Sequence, residues 1–172
     1  MLEKFSIDGE DDSETVIVIE CVADGVAGRI ETVHALEECQ DMRAAIRRLN
    51  ADPRLSPAEI ALFQWCQDSG VELELSADIV CAHAFGIYVD DLDLMDINTD
   101  DVSSIAKPVR LPAAAHFSHR DGAARCACIE ADDNCYLISL LREIEYFEPG
   151  DGEPWIIPAG YLIRCKHARV IF

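Results

Sequence analysis

The chain has 172 residues, of which 50% are hydrophobic and 27% charged, the composition of a globular protein and not of a disordered one. Against 14 Lys and Arg stand 33 Asp and Glu, a net charge of −19. That surplus excludes ordinary nucleic-acid binding by phosphate neutralisation and disfavours docking on an anionic membrane.

The length fits a single acidic domain over 1–172; a subdomain seam, if there is one, falls near 101–112. The opening Met1-Leu2-Glu3-Lys4-Phe5 leads into an acidic run at 8–14, without the basic start and apolar stretch of a secretory signal. The longest uncharged apolar run, 79–89, is far short of the roughly 20 residues that cross a bilayer. The expectation is a soluble, cytoplasmic protein.

In chain order, 14–23 (ETVIVIECVA) is rich in β-branched residues and stops at Asp24-Gly25, so it predicts a strand. Residues 32–50 predict a helix, with Val33, Leu36, Cys39, Met42, Ile46 and Leu49 as its apolar stripe. Ser56-Pro57-Ala58-Glu59 has the form of a helix start: a capping hydroxyl, a proline at the first helical position and a glutamate that reaches back. Ile60, Leu62, Phe63 and Cys66 would then face the core, and Gly70 would end the helix.

The alternation of 71–75 (VELEL) reads as a half-exposed strand, with Glu72 and Glu74 outward. Residues 79–89 read as a buried strand or a short helix, and 90–101 as an acidic loop. From Lys107 onward the pattern is β-rich, with turns at 119–122, 148–152 and 158–160. Residues 136–147 fit a strand better than a helix, because 155–172 then completes a hairpin. The fold class is α+β: two N-terminal helices packed on a mostly antiparallel sheet, with a β-rich C-terminal half. Cys21, Cys39, Cys66 and Cys81 sit among apolar neighbours and read as small core residues.

The charge is uneven. Residues 1–54 hold 13 acids and 6 bases, 107–172 hold 9 and 8, and 55–106 hold 11 acids with no Lys or Arg at all. Apart from carboxylates that arginines of the first helix can reach, those of the middle stretch must face solvent or a partner. Uncompensated like charge opposes compaction, so it calls for a use. Solubility is one use. The sharper one is a basic partner, because a row of carboxylates presents a cationic groove with a field like that of a nucleic acid.

The candidate partner-binding surface comprises Glu72, Glu74, Asp90, Asp91, Asp93, Asp96, Asp100 and Asp101, with Trp65, Phe85 or Tyr88 as aromatic anchors if exposed. The functional expectation is a non-enzymatic binding or inhibitor protein. Its partner would be a basic protein surface, of the kind carried by a nuclease or nucleic-acid-binding complex, with no direct nucleic acid or membrane contact. Nucleic-acid mimics, anti-CRISPR and anti-restriction proteins and toxin-immunity proteins use that type of charge. A homodimer is compatible with this expectation, through the cationic tail 164–169 and the apolar Val170-Ile171-Phe172.

Two rival readings concern chemistry. Cys126, Cys128 and Cys135 with His116 or His119 are residue types that zinc prefers, but the Cys-x-Cys spacing is not that of a zinc knuckle; no cofactor is expected unless zinc binds there. An unrecognised small enzyme is the second rival. Cys165 has Arg164, Lys166 and His167 beside it, yet no orienting acid at a recognisable spacing, and Cys81 would share a face with His83 if 79–89 is a strand, but in that apolar run the two read as core. Asp96-Ile97-Asn98-Thr99-Asp100 opens like a calcium loop. The glycine and the bidentate glutamate such a loop requires are replaced by Asp101 and Lys107.

Overall fold

The computed structural model describes residues 1–10, 15–89, 110–119, 122–146 and 152–172. The protein is α+β, with three helices and three antiparallel sheets among the described residues, and it divides into two compact units, Met1–Tyr88 and Val89–Phe172. The expected order is inexact at the start: strands come first and the helices follow.

In the first unit, β1 (Leu2–Asp8), β2 (Val16–Ala23) and β3 (Val26–Ala35) form a meander in that order. Asp24 and Gly25, both at positive φ (52° and 78°), make the two-residue turn between β2 and β3. Such a turn matches the strand twist, and a Gly takes its second position without strain. Phe5, Ile19 and Ile30 lie in register across the three strands and are buried together. The outer edge of β1 is tied to the chain after the first helix: Phe5 N donates to Pro53 O (2.8 Å) and Leu55 N to Glu3 O (3.1 Å).

The single helix expected over 32–50 is instead three pieces. Residues 32–35 complete β3, a 3-10 turn spans Leu36–Glu38, and α1 runs Met42–Ala51, capped by Asp41, whose carboxylate accepts from Ala44 N at 2.9 Å. The strand wins because Thr32 and His34 point inward and each finds a backbone carbonyl partner there. Thr32 Oγ1 donates to Ile17 O (2.7 Å), and His34 Nε2 lies 3.1 Å from Asp78 O. Val33, assigned to a core stripe, is therefore 59% exposed, and Met42 and Ile46 also face outward.

α2 (Pro57–Asp68) begins as its sequence specifies. Ser56 Oγ accepts from Glu59 N (3.2 Å) and Glu59 Oε1 accepts from Ser56 N (2.7 Å). Its buried row is Glu59, Leu62 and Cys66, whereas Ile60 is exposed. Residues 71–75 are not a strand: α3 (Leu73–Phe85) starts there, with Glu72 as its N-cap and Gly86 at φ 65° as its left-handed end. The run 76–82 is buried throughout, so α3 settles the strand-or-helix question for 79–85 as a core helix packed on β3 and α2, and 86–89 follow outside it.

The second unit is built of strands. β4 (Ala113–His119), β5 (Gly122–Ala131), β6 (Cys135–Leu140), β9 (Leu162–Lys166) and β10 (Val170–Ile171) form a sheet ordered β10-β4-β5-β6-β9. β7 (Ile144–Tyr146) and β8 (Trp155–Ile157) pair separately. The strand reading of 136–147 agrees over β6 and β7, with a break at 141–143, and the turn at 158–160 agrees as well; the middle of the expected turn at 119–122, residue 147 and most of the expected turn at 148–152 lie outside the described residues.

β9 and β10 occupy opposite edges of the five-stranded sheet yet are joined by the three residues 167–169. Four strand spacings in a flat sheet span about 19 Å, and the chain from Lys166 to Val170 reaches at most about 14 Å. The sheet must curl toward a barrel. Phe117, Cys126, Cys128, Ile138, Ile163, Cys165 and Val170 belong to the core it encloses.

A candidate acidic docking surface

Five carboxylates lie between residues 55 and 89, and the fold treats them in two ways. Glu59 is an internal group. Arg48, projecting from α1, grips it with two bonds (Nη1 to Oε2 2.8 Å, Nη2 to Oε1 2.5 Å) and gives a third to Arg54 O at 3.1 Å. The same guanidinium covers the rings of Phe5 and Phe85, 5.2 and 5.4 Å from their centroids, and those rings meet edge-on at 4.9 Å. Burial pushes the Glu59 carboxyl up, but the Arg48 bonds and the Ser56 cap outweigh it and hold the group below its usual range. Asp78 is the second internal group, bonded to Val33 N at 2.9 Å.

The other three, Asp68, Glu72 and Glu74, are exposed and bracket the corner between α2 and α3. The corner is tied by side chains. Gln67 Nε2 donates to Val71 O (3.1 Å) and to Ser76 Oγ (2.8 Å), and Ser76 Oγ donates to Glu72 O (2.8 Å). Gly70 turns the chain at φ 77°. Leu73, 45% exposed, sits between Glu72 and Glu74. Asp68 accepts from Gln64 Nε2 at 2.8 Å, one turn back on α2. The first turn of α3 favours the placement of Glu74, since carboxylates suit a helix N-terminus.

Among the described residues, no ion pair involves these three carboxylates. The cations of the first unit that form ion pairs do so elsewhere: Lys4 with Glu20 (3.3 Å), Arg29 with Asp8 (3.3 Å), Arg48 with Glu59 and Arg54 with Asp52 (2.8 Å). A depression of about 600 Å³ lined by Arg48, Asp52, Arg54, Leu55, Ser56, Pro57 and Glu59 thus has its four charges neutralised in pairs.

Of the surface expected from the sequence, Glu72 and Glu74 are exposed as anticipated, though on a helix start and not a strand. Asp90, Asp91, Asp93, Asp96, Asp100 and Asp101 lie outside the described residues, as does the calcium-like opening at 96–100. Asp68 was not anticipated; its signal was its place one residue before the Ser69-Gly70 turn. Of the aromatic anchors, Phe85 is a core residue, and Trp65 and Tyr88 are half-buried.

Apart from Cys135, which is half-buried at the start of β6, the cysteines of these constellations behave as core. Cys126 and Cys128 share a face of β5 and are fully buried, with their thiols pushed up to about 12 and about 11 by desolvation. Cys165 is raised further by burial and by the neighbouring thiols. His116 is exposed on β4, and His119 stacks with Phe117 at 6.4 Å between centroids. Among the described residues no three His, Cys, Asp or Glu side chains come together as metal ligands. Cys81 and His83 are two apart on a helix, not a strand, so they point in different directions.

The tail is largely engaged within its own unit. Arg164 lies 3.7 Å from Asp132, and the His167 ring bonds Asp132 O (3.0 Å) and packs on Tyr136 (4.4 Å between centroids); Arg169 is buried.

No protein-family model matches the chain, and no curated protein matches it either. Among the described residues no helix is long and apolar enough to cross a membrane.

Proposed function

We propose that the protein is a non-enzymatic binding protein that meets a cationic surface of a partner protein with the carboxylates of the α2–α3 corner. The observation that carries this reading is the division of labour among the carboxylates of 55–89. The two that the fold needs are internal, and the remaining three bracket one tied corner, bonded to no cation among the described residues. A corner fixed by Gln67 and Ser76 keeps those charges in place before a partner arrives, which lowers the entropy cost of docking. Leu73 supplies an apolar contact at its centre.

In the finer form of the reading, the partner is a nucleic-acid-handling protein, the corner occupies its phosphate-binding groove, and Asp90, Asp91, Asp93, Asp96, Asp100 and Asp101 add their negative charge to the attraction. The chain would then block that groove, as a nucleic-acid mimic or an immunity protein does.

The test uses a fluorescent deca-arginine peptide as the cationic probe, with association rates measured by stopped flow at low salt. Changing Asp68, Glu72 and Glu74 together to Asn, Gln and Gln should slow association roughly tenfold, within the range that electrostatic steering supplies. Neutralising the exposed Glu3, Asp24 and Glu37 instead removes the same charge from other places and should change the rate by less than about twofold. Equal effects from the two triples would reduce the reading to bulk charge.

A further inference from the structure

Asp78 occupies the middle of α3, within the run 76–82 that is buried on every side. It ties helix to strand edge twice. Its carboxylate accepts the Val33 N–H of β3 at 2.9 Å, and its backbone oxygen lies 3.1 Å from His34 Nε2. No ion pair among the described residues includes it, and no Lys or Arg occurs anywhere in 55–89.

The titratable groups around it are few. Glu74, one turn earlier on α3, is a like charge. From β3 comes His34, whose Nδ1 lies 3.9 Å from Glu38 Oε2 on the 3-10 turn. Cys81 on α3 and Cys39 after the 3-10 turn are neutral thiols, Cys39 pushed up to about 11 and Cys81 raised as well. α2, on the other side of α3, presents the neutral Cys66, also about 11, and Glu59, which is committed to Arg48.

We propose that this double tie is a proton-operated latch, in which α3 holds the edge of β3 more firmly when the Asp78 carboxyl carries a proton. An ionised carboxylate here has left water for a single neutral N–H and stands one turn from another negative charge. Protonation removes both penalties, while the carbonyl oxygen of the acid still accepts the Val33 bond. Burial accordingly raises the proton affinity of Asp78, Val33 and His34 oppose that, and Glu74 adds to it. The folded unit then binds this proton more readily than the unfolded chain does. The latch therefore contributes stability that is fully present at low pH and is lost as pH rises through the folded titration range. Glu59, whose carboxyl is held low, has the opposite dependence.

Comparison of the full chain with Asp78→Asn isolates the effect, because asparagine keeps the acceptor for Val33 and cannot ionise. At pH 7.5 the variant should have a folded-to-unfolded ratio at least about threefold higher than the natural chain, and the gap should close by about pH 4. Amide exchange at Val33 should slow correspondingly. A gap that does not change with pH, or a less stable variant at pH 7.5, overturns the proposal. Should the variant fail to fold, the carbon-13 titration of the Asp78 carboxyl in the natural chain decides the matter. A midpoint above the ordinary aspartate range supports the latch, and one within or below it refutes the latch.

Discussion

Arg48 is the residue whose loss should cost the first unit most. Arg48→Met keeps a long apolar stem against Phe5 and Phe85 but leaves the Glu59 carboxylate, 5% exposed, without its two guanidinium bonds. Removing one partner of a buried pair costs about 3–5 kcal/mol, because a desolvated charge is left behind. Arg48 itself is about a quarter exposed, so the lower end applies, about 3 kcal/mol. At a urea slope of about 2 kcal/mol/M the midpoint should fall by roughly 1.5 M.

The assay is Trp65 fluorescence in a Trp155→Phe background, since the chain has 2 tryptophans and Trp65 alone belongs to the first unit. Glu59→Gln keeps the cap on Ser56 without the charge, so the double variant should recover more than half of the loss. The clamp should also weaken in acid. Glu59 is held low in the folded state, so its contribution is present above the ordinary glutamate range and is lost as pH falls through the folded value. A cost below about 1 kcal/mol for Arg48→Met, the value of an exposed pair, would refute the reasoning.

Two other predictions concern thiols and backbone. Of the eight cysteines, only the half-buried Cys21 and Cys135 should react rapidly with a disulfide reagent at neutral pH, the other six being buried; a third fast thiol in the folded chain would contradict the burial described. Gly86→Ala should cost about 1–2 kcal/mol for its left-handed backbone, and more than Gly70→Ala. A Cβ at 86 would stand 3.1 Å from Gln40 Oε1, whereas one at 70 meets nothing within 4 Å; equal urea midpoints for the two variants would show that Gln40 yields freely.

What could be read from the sequence was what is local. Ser56, Pro57 and Glu59 announce α2 because cap, proline and reciprocal bond are all made within four residues. Asp24-Gly25 likewise ends β2 by its own backbone preference. Thr32 and His34 misled because their inward orientation depends on Ile17 O and Asp78, 15 and 44 residues away in sequence. With two polar residues on the buried face and Val33 on the exposed one, β3 inverts the pattern that periodicity relies on. α3 was hidden differently: a helix buried all round has no apolar stripe to detect, and the alternation of 71–75 imitated a strand. The exposure of Glu72 and Glu74 was nonetheless legible, since unpaired carboxylates seek water at a helix start as at a strand face. Asp68 joined them only when the corner folded.

Backbone amide shifts recorded while the deca-arginine peptide is titrated into the full chain at low salt would show directly where positive charge settles. Residues 68–74 should move most and return to their free positions when the salt is raised. Shifts spread evenly over the carboxylates of β1, β3 and the caps of α1, with 68–74 unmoved, would contradict the account.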